Sequence, residues 1–190
     1  MNLLINYLLE MFLYCCIGMV IVFIVRMIMH HRKQDSINWK KDAIIILFFG
    51  YCFGLASQTI FPDWSAGIDS STGKPFFYLT NITDSININL IPFKTITEQL
   101  VGKVDIEQQY AKTLGIINLA ANFFLFVPIG FFVPLVYVKL KHFKNMALTG
   151  LSVCLIIELI QLVIGRSFDV DDIILNIFGI LTGWMLIKAL

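Results

Sequence analysis

MALTGLSVCLIIELIQLVI, residues 146–164, decides the fold: it is apolar along almost its whole length and carries one charged side chain, Glu158. At about 1.5 Å of helical rise per residue it is long enough to cross a hydrocarbon layer of roughly 30 Å. Four further stretches are of the same kind, near residues 3–28, 43–60, 114–138 and 173–190. The chain is 58% hydrophobic and 14% charged, with a mean hydropathy of +0.81, and cannot supply the charged surface that a soluble domain of 190 residues needs. The reading is an all-α, polytopic membrane helix bundle. It has five transmembrane helices, a long extracellular loop over 61–113, and a single domain over 1–190. Pro128 and Pro134 interrupt the third span and predict a kink or an early end there. The first stretch lacks a basic start and is too long for the core of a cleaved signal, so it reads as a retained helix.

Orientation follows from the connections. His30-His31-Arg32-Lys33 through Lys40-Lys41 is basic, as is Lys139 through Lys144, and Lys188 stands near the end of the fifth span. The positive-inside rule puts all three in the cytoplasm, so the N-terminus lies outside and the C-terminus inside. The net charge of +1 is attached to no basic polar fold, and no nucleic-acid partner is expected. Cys15, Cys16, Cys52 and Cys154 all fall within apolar stretches, where a thiol acts as a small hydrophobe, and match no metal or disulfide spacing.

Ionisable and amide side chains inside a span are costly, about 2.5–3.5 kcal/mol for a charge at the centre. Counting helical rise, Glu158 lies about 10 Å below the outer end of the fourth span, with Gln161 on the same side. Asn118 and Asn122 share a face of the third span, and Asp172, Asn176, Gly179 and Gly183 form one stripe on the fifth. Glu10 lies in the first span, and Ser57 and Gln58 lie near the outer end of the second. All of these fall in the outer half, which implies a polar pocket that opens outward. Structural roles compete at each position. The asparagines also serve as interhelical hydrogen bonds, Gly179 and Gly183 suit close helix packing, and Glu158 has a structural alternative as the partner of Arg166.

Between the second and third spans, glycines, prolines and short polar side chains mark turns. Asn89-Leu-Ile-Pro92-Phe93 follows, and Thr95 with Glu98 is spaced like a capping box at the start of a short interfacial helix. Arg166-Ser-Phe-Asp169-Val-Asp171-Asp172 is the densest charge cluster in the chain. One Asp at a helix start is ordinary capping; three carboxylates and an arginine over a buried glutamate are more than a cap requires.

These segments resemble the VanZ-like family of bacterial membrane proteins. The resemblance rests on Asn89-Leu-Ile-Pro92-Phe93, Asn118-Leu-Ala-Ala-Asn122 leading to Phe126-Val-Pro128-Ile-Gly130, Glu158-Leu-Ile-Gln161, and Arg166 through Asp172 leading to Asn176-Ile-Phe-Gly179. It covers roughly the second half of the chain. It implies a place in the bacterial cytoplasmic membrane and a link to low-level resistance to teicoplanin, a lipid-bearing glycopeptide.

Three mechanisms fit. In the first, the outward pocket binds a lipid-linked cell-wall component or the antibiotic. Arg166 would then contact a phosphate or carboxylate, Asn89, Asn118, Asn122, Gln161 and Asn176 would supply hydrogen bonds, and Phe93 would act as an apolar lid. In the second, the protein is a membrane enzyme with Glu158 as general acid or base, and Asp169 and Asp172 are open to a divalent cation. No nucleophile motif supports it, and His30, His31 and His142 are all expected on the cytoplasmic side. A transporter or a structural partner of cell-wall enzymes ranks third. The sequence assigns no cofactor and no oligomeric state.

Overall fold

The protein was analysed as a computed structural model that describes residues 2–34, 36–61, 64–68, 74–79, 88–101 and 109–189. The chain runs α1 (Asn2–Lys33), α2 (Trp39–Thr59), β1 (Trp64–Ile68), β2 (Pro75–Leu79), β3 (Ile88–Asn89), α3 (Lys94–Val101), α4 (Gln109–Phe124), α5 (Val127–Val136), a 3-10 turn (Val138–Lys141), α6 (Phe143–Val163), β4 (Phe168–Asp169) and α7 (Val170–Ala189). Among the described residues, five segments are long and apolar enough to cross a membrane: Ile5–Lys33, Trp39–Thr59, Lys112–Val136, Phe143–Val163 and Val170–Ala189. They match the five expected spans, with ends moved by a few residues because helix termini are set by caps and charges as well as apolar content. Thus α1 continues through His30, His31, Arg32 and Lys33, basic residues of which Arg32 and Lys33 suit the negative end of a helix dipole.

The third span is two helices. α4 stops at Phe124 and α5 starts at Val127, with Pro128 in its first turn. Pro128 has no N–H to give the Phe124 carbonyl, so the ladder opens there. A bare carbonyl at this depth is expensive, and beside the break the hydroxyl of Tyr51 on α2 donates to the carbonyl oxygen of Leu125. Pro134 lies inside α5, which ends two residues later at Val136.

α7 packs against α4, α5 and α6, around Phe126, Cys154 and Ile180, which are fully buried. A Cβ at Gly179 would collide with the carbonyl oxygen of Phe123, one at Gly183 with that of Val127, and one at Gly130 with that of Ile180. Backbone therefore touches backbone, the close approach that small residues four apart permit between membrane helices. α1 packs mainly on α2, and much of its remaining surface, Leu9, Phe12 and Val20 among it, is apolar and exposed, as on a lipid-facing helix.

Polar side chains inside the bundle are not confined to one end, contrary to the sequence expectation. Asp42, 1% exposed, accepts from Arg26 Nε at 2.7 Å and from Arg26 Nη2, and lies 3.0 Å from His30 Nε2. Beside Lys40 and Lys41 it reads as a loop residue. Helix α2 starts at Trp39, before the apolar run begins, and so carries Asp42 inward. The loop is not featureless either: β1 and β2 form an antiparallel hairpin, Trp64 opposite Leu79.

Two outcomes test this packing. Gly183→Leu is expected to destabilise the protein by about 2 kcal/mol or more, read as a lower melting temperature in detergent, because a backbone carbonyl cannot yield as a side chain does. Asp42→Ala, which leaves Arg26 without its carboxylate, should cost about 2 kcal/mol, discounted for the partial exposure of Arg26. Melting unchanged from the parent would refute either account.

Candidate functional site

The sequence-expected residues gather at the end of the bundle opposite Asp42, where α2 and α6 end and α7 begins. Helix α6 closes through Gly165, whose φ of 84° is the left-handed conformation that lets the chain turn out of the helix. The chain then returns through Arg166 and β4 into α7, so that the turn folds back over Glu158.

Glu158 is 1% exposed, and its Oε2 accepts the backbone N–H of Asp169 at 3.2 Å. Gln161 Nε2 donates to the carbonyl of Thr59 at 3.0 Å. Arg166 Nη1 donates to the carbonyls of Gln58 and Thr59, at 3.3 and 3.2 Å. Those oxygens belong to the last turn of α2, where helix carbonyls lack intrahelical donors, so Gln161 and Arg166 together cap α2. The alternative role of Arg166 as the ion-pair partner of Glu158 is not realised. Among the described residues the ion pairs are those of Asp42 with Arg26 and His30. Arg166, Asp169 and Asp172 nevertheless lie within electrostatic reach of Glu158.

Asp169 and Asp171 hold the Asn89–Phe93 segment. β3 and β4 pair in parallel, with Asn89 beside Asp169. Asp169 Oδ1 accepts Asn89 Nδ2 at 3.0 Å and the N–H of Asp171 at 2.9 Å, while Oδ2 accepts the hydroxyl of Thr95 at 2.5 Å. Asp171, fully buried, accepts the N–H of Phe93 through Oδ1 and that of Ile96 through Oδ2 at 3.1 Å. Phe93 is the residue just before α3 and Ile96 lies in its first turn, so a carboxylate from α7 caps a helix some 75 residues earlier in the chain. The Thr95–Glu98 capping box is therefore corrected. The helix starts at Lys94 after Phe93 in a left-handed conformation (φ 64°), which puts Thr95 inside it and turns its hydroxyl to Asp169. Sequence reasoning missed this role of Asp171, whose i-to-i+2 spacing from Asp169 was the available signal.

Asp172 Oδ1 accepts Asn122 Nδ2 at 2.5 Å. Asn176, one turn further along α7, is 3% exposed, and its Oδ1 has no hydrogen-bond partner among the described residues. The structure thus brings together Asn89, Asn122, Glu158, Gln161, Arg166, Asp169, Asp172 and Asn176. It does not bring in Asn118, exposed on α4, or Glu10, exposed on α1. The ring of Phe93 is 55% exposed; its backbone N–H is what joins the cluster. Ser57 turns its hydroxyl to the carbonyl of Gly54 on its own helix.

Sorting the oxygens shows what remains for chemistry. The carboxylates of Asp169 and Asp171 are committed to the β3–α3 segment. Among the described residues no group of three or more His, Cys, Asp or Glu is placed to hold a metal ion. Glu158 and Asp172 each show one bonded oxygen, and Asn176 Oδ1 shows none. The arrangement offers acceptors to a donor-bearing ligand, with Nε and Nη2 of Arg166 at its edge.

A family model described as VanZ/LLP1 matches residues 45–190. No curated protein and no solved structure matches the chain. The match contains every residue of the cluster and leaves α1 outside.

Asp171→Ala removes both acceptors from the start of α3. It is expected to cost about 3 kcal/mol and to speed hydrogen exchange at Phe93 and Ile96 selectively over α6 amides. Unchanged protection at those two amides would sink the capping role.

Proposed function

The chain belongs to the VanZ/LLP1 family, and from that premise we propose that it holds a polar headgroup at the cluster of Glu158, Arg166, Asp172 and Asn176. The headgroup is that of a lipid-linked cell-wall component or of a lipid-bearing glycopeptide. The family membership links this multi-pass membrane protein to glycopeptide resistance at the level of the family. In this reading the cluster faces outward from a bacterial cytoplasmic membrane, with the N-terminus outside and the C-terminus inside. The basic ends of α1 and of the 3-10 turn, where Lys139 and Lys141 lie, support that orientation through the positive-inside rule.

The observation that carries the proposal is the buried oxygen of Asn176. A buried acceptor without a donor costs free energy, roughly 1–3 kcal/mol, and is retained where something completes it. Asp172, one turn before it on α7, and Glu158, within electrostatic reach of Asp172, are further acceptors. Arg166 adds a guanidinium whose remaining donors suit a phosphate or carboxylate. The ligand such a set fits has N–H or O–H groups and one acidic group, and a tail that runs along the apolar surface of the spans. Asn122 and Asn89 position the cluster through their bonds to Asp172 and Asp169.

A second reading is a membrane enzyme that acts on a lipid-linked envelope substrate with Glu158 as acid–base residue. It is favoured by the burial of that one carboxyl under the cluster, where its Oε2 meets the backbone N–H of Asp169.

Binding of purified protein to teicoplanin and to a polyprenyl-linked cell-wall precursor tests the first reading. Arg166→Ala is expected to weaken binding about tenfold or more, the value of a lost charge-assisted hydrogen bond. Affinity that is the same in parent and variant for both ligands overturns it. Glu158→Gln separates the readings: binding retained with turnover of the precursor abolished identifies the enzyme, whereas no turnover by the parent protein leaves the binder.

A further inference from the structure

A cavity of about 300 Å³ lies between the start of α2 and the end of α5, at the end of the bundle remote from the polar cluster. It is lined by Asn38, Lys40, Lys41, Ile44 and Ile45 from the start of α2 and by Leu135 and Val136 from the end of α5. From Lys40 to Thr59 is about 28 Å along α2, so this cavity and the cluster near Glu158 cannot share a headgroup.

Its charge is uncompensated. Arg26 and His30 both pair with Asp42, whose carboxylate is buried on the side of α1. Lys40 and Lys41, both exposed, have no ion pair among the described residues. The first turn of α2 adds to them. Asn38 caps it by accepting the N–H of Lys41 at 3.2 Å, and a helix start carries unsatisfied N–H groups and partial positive charge. Two ammonium groups and a helix N-terminus favour a phosphate.

The rest of the lining is apolar, and along α2 the change from lysine to isoleucine occurs within one turn, with Leu135 and Val136 facing from α5. A free phosphate would leave Ile44, Ile45 and Leu135 against water, and an alkyl chain alone would leave the lysines unmatched. The chemistry that satisfies both the lysines and the apolar lining is a phosphate joined to acyl chains. We propose that this cavity binds an anionic phospholipid, its phosphate on Lys40 and Lys41 and the upper part of an acyl chain along Ile44, Ile45 and Leu135. The bound lipid bridges α2 and α5, close to the end of the broken span. Lys40 and Lys41 precede the residues matched by the family model, whereas Ile45 and Leu135 fall within them, so the two ammonium groups are what this chain adds to the matched region.

The test uses the full chain, purified and stripped of lipid in a neutral detergent. Its melting temperature is followed while phosphatidylglycerol or phosphatidylcholine with the same acyl chains is added. Phosphatidylglycerol is expected to stabilise the protein at lower concentration than phosphatidylcholine. In Lys40→Ala/Lys41→Ala the concentration of phosphatidylglycerol needed should rise about tenfold or more. Lys139→Ala/Lys144→Ala removes the same charge outside the cavity and should respond as the parent does. Equal responses to the two lipids, an equal loss in the two double variants, or full stabilisation by inorganic phosphate alone would each overturn the proposal.

Discussion

Asp171 is a carboxylate with no exposed surface, and the N–H groups of Phe93 and Ile96 are what it is turned toward. Buried charge without partners is among the costliest things a protein can hold, and the first N–H groups of a helix are donors in search of an acceptor. Each need answers the other. Once α3 is fixed on the head of α7, Asn89 is set beside Asp169, the short parallel bridge forms, and Thr95 reaches the second oxygen of Asp169. The N–H of Asp169 then meets Glu158, and the carboxyl at the foot of the cluster is placed. One charged residue thus organises the whole segment that overlies the proposed site.

Within the spans a second constraint rules: hydrocarbon offers no hydrogen bonds, so the protein must satisfy its own backbone. The break between α4 and α5 is tolerated because Tyr51 serves Leu125 and because α7 closes on the break without side chains in the way. Gly179 and Gly183 press against the carbonyls of Phe123 and Val127. Helix α7 therefore carries two functions along one stripe. Its first residues organise the polar cluster, Asn176 supplies the unpartnered oxygen, and the glycines below allow the approach that positions both. This stripe is where stability and the proposed ligand chemistry compete for the same residues.

The two ends of the bundle are chemically unlike. One gathers carboxyl and amide oxygens with a single guanidinium whose Nη1 caps α2. The other gathers lysines and a helix N-terminus over an apolar wall. A donor-bearing headgroup at the first and an anionic phospholipid at the second are the ligands these opposite chemistries favour. The Arg26–Asp42–His30 group, with Asp42 buried at its centre, ties α1, which lies outside the family match, to α2 next to the phospholipid cavity.

Hydrophobic length and proline position made the fold legible from the sequence. Five spans, a disrupted third span and a glycine-packed fifth follow from properties that each residue carries whatever its neighbours, namely transfer free energy, the missing N–H of proline and the missing Cβ of glycine. The set of polar residues at one end was legible for the same reason, because an amide or carboxyl inside an apolar run is conspicuous. Which atoms meet was not. That Asp171 caps α3, that Arg166 serves α2 and not Glu158, that Asn118 turns outward while Asn176 is buried, and that Asp42 is drawn inside the helix all depend on hydrogen bonds between residues far apart in the chain. Such bonds are directional and are shared out only once the helices have packed, so the tertiary structure alone decides which carboxylates are spent on the fold and which oxygens remain for a ligand.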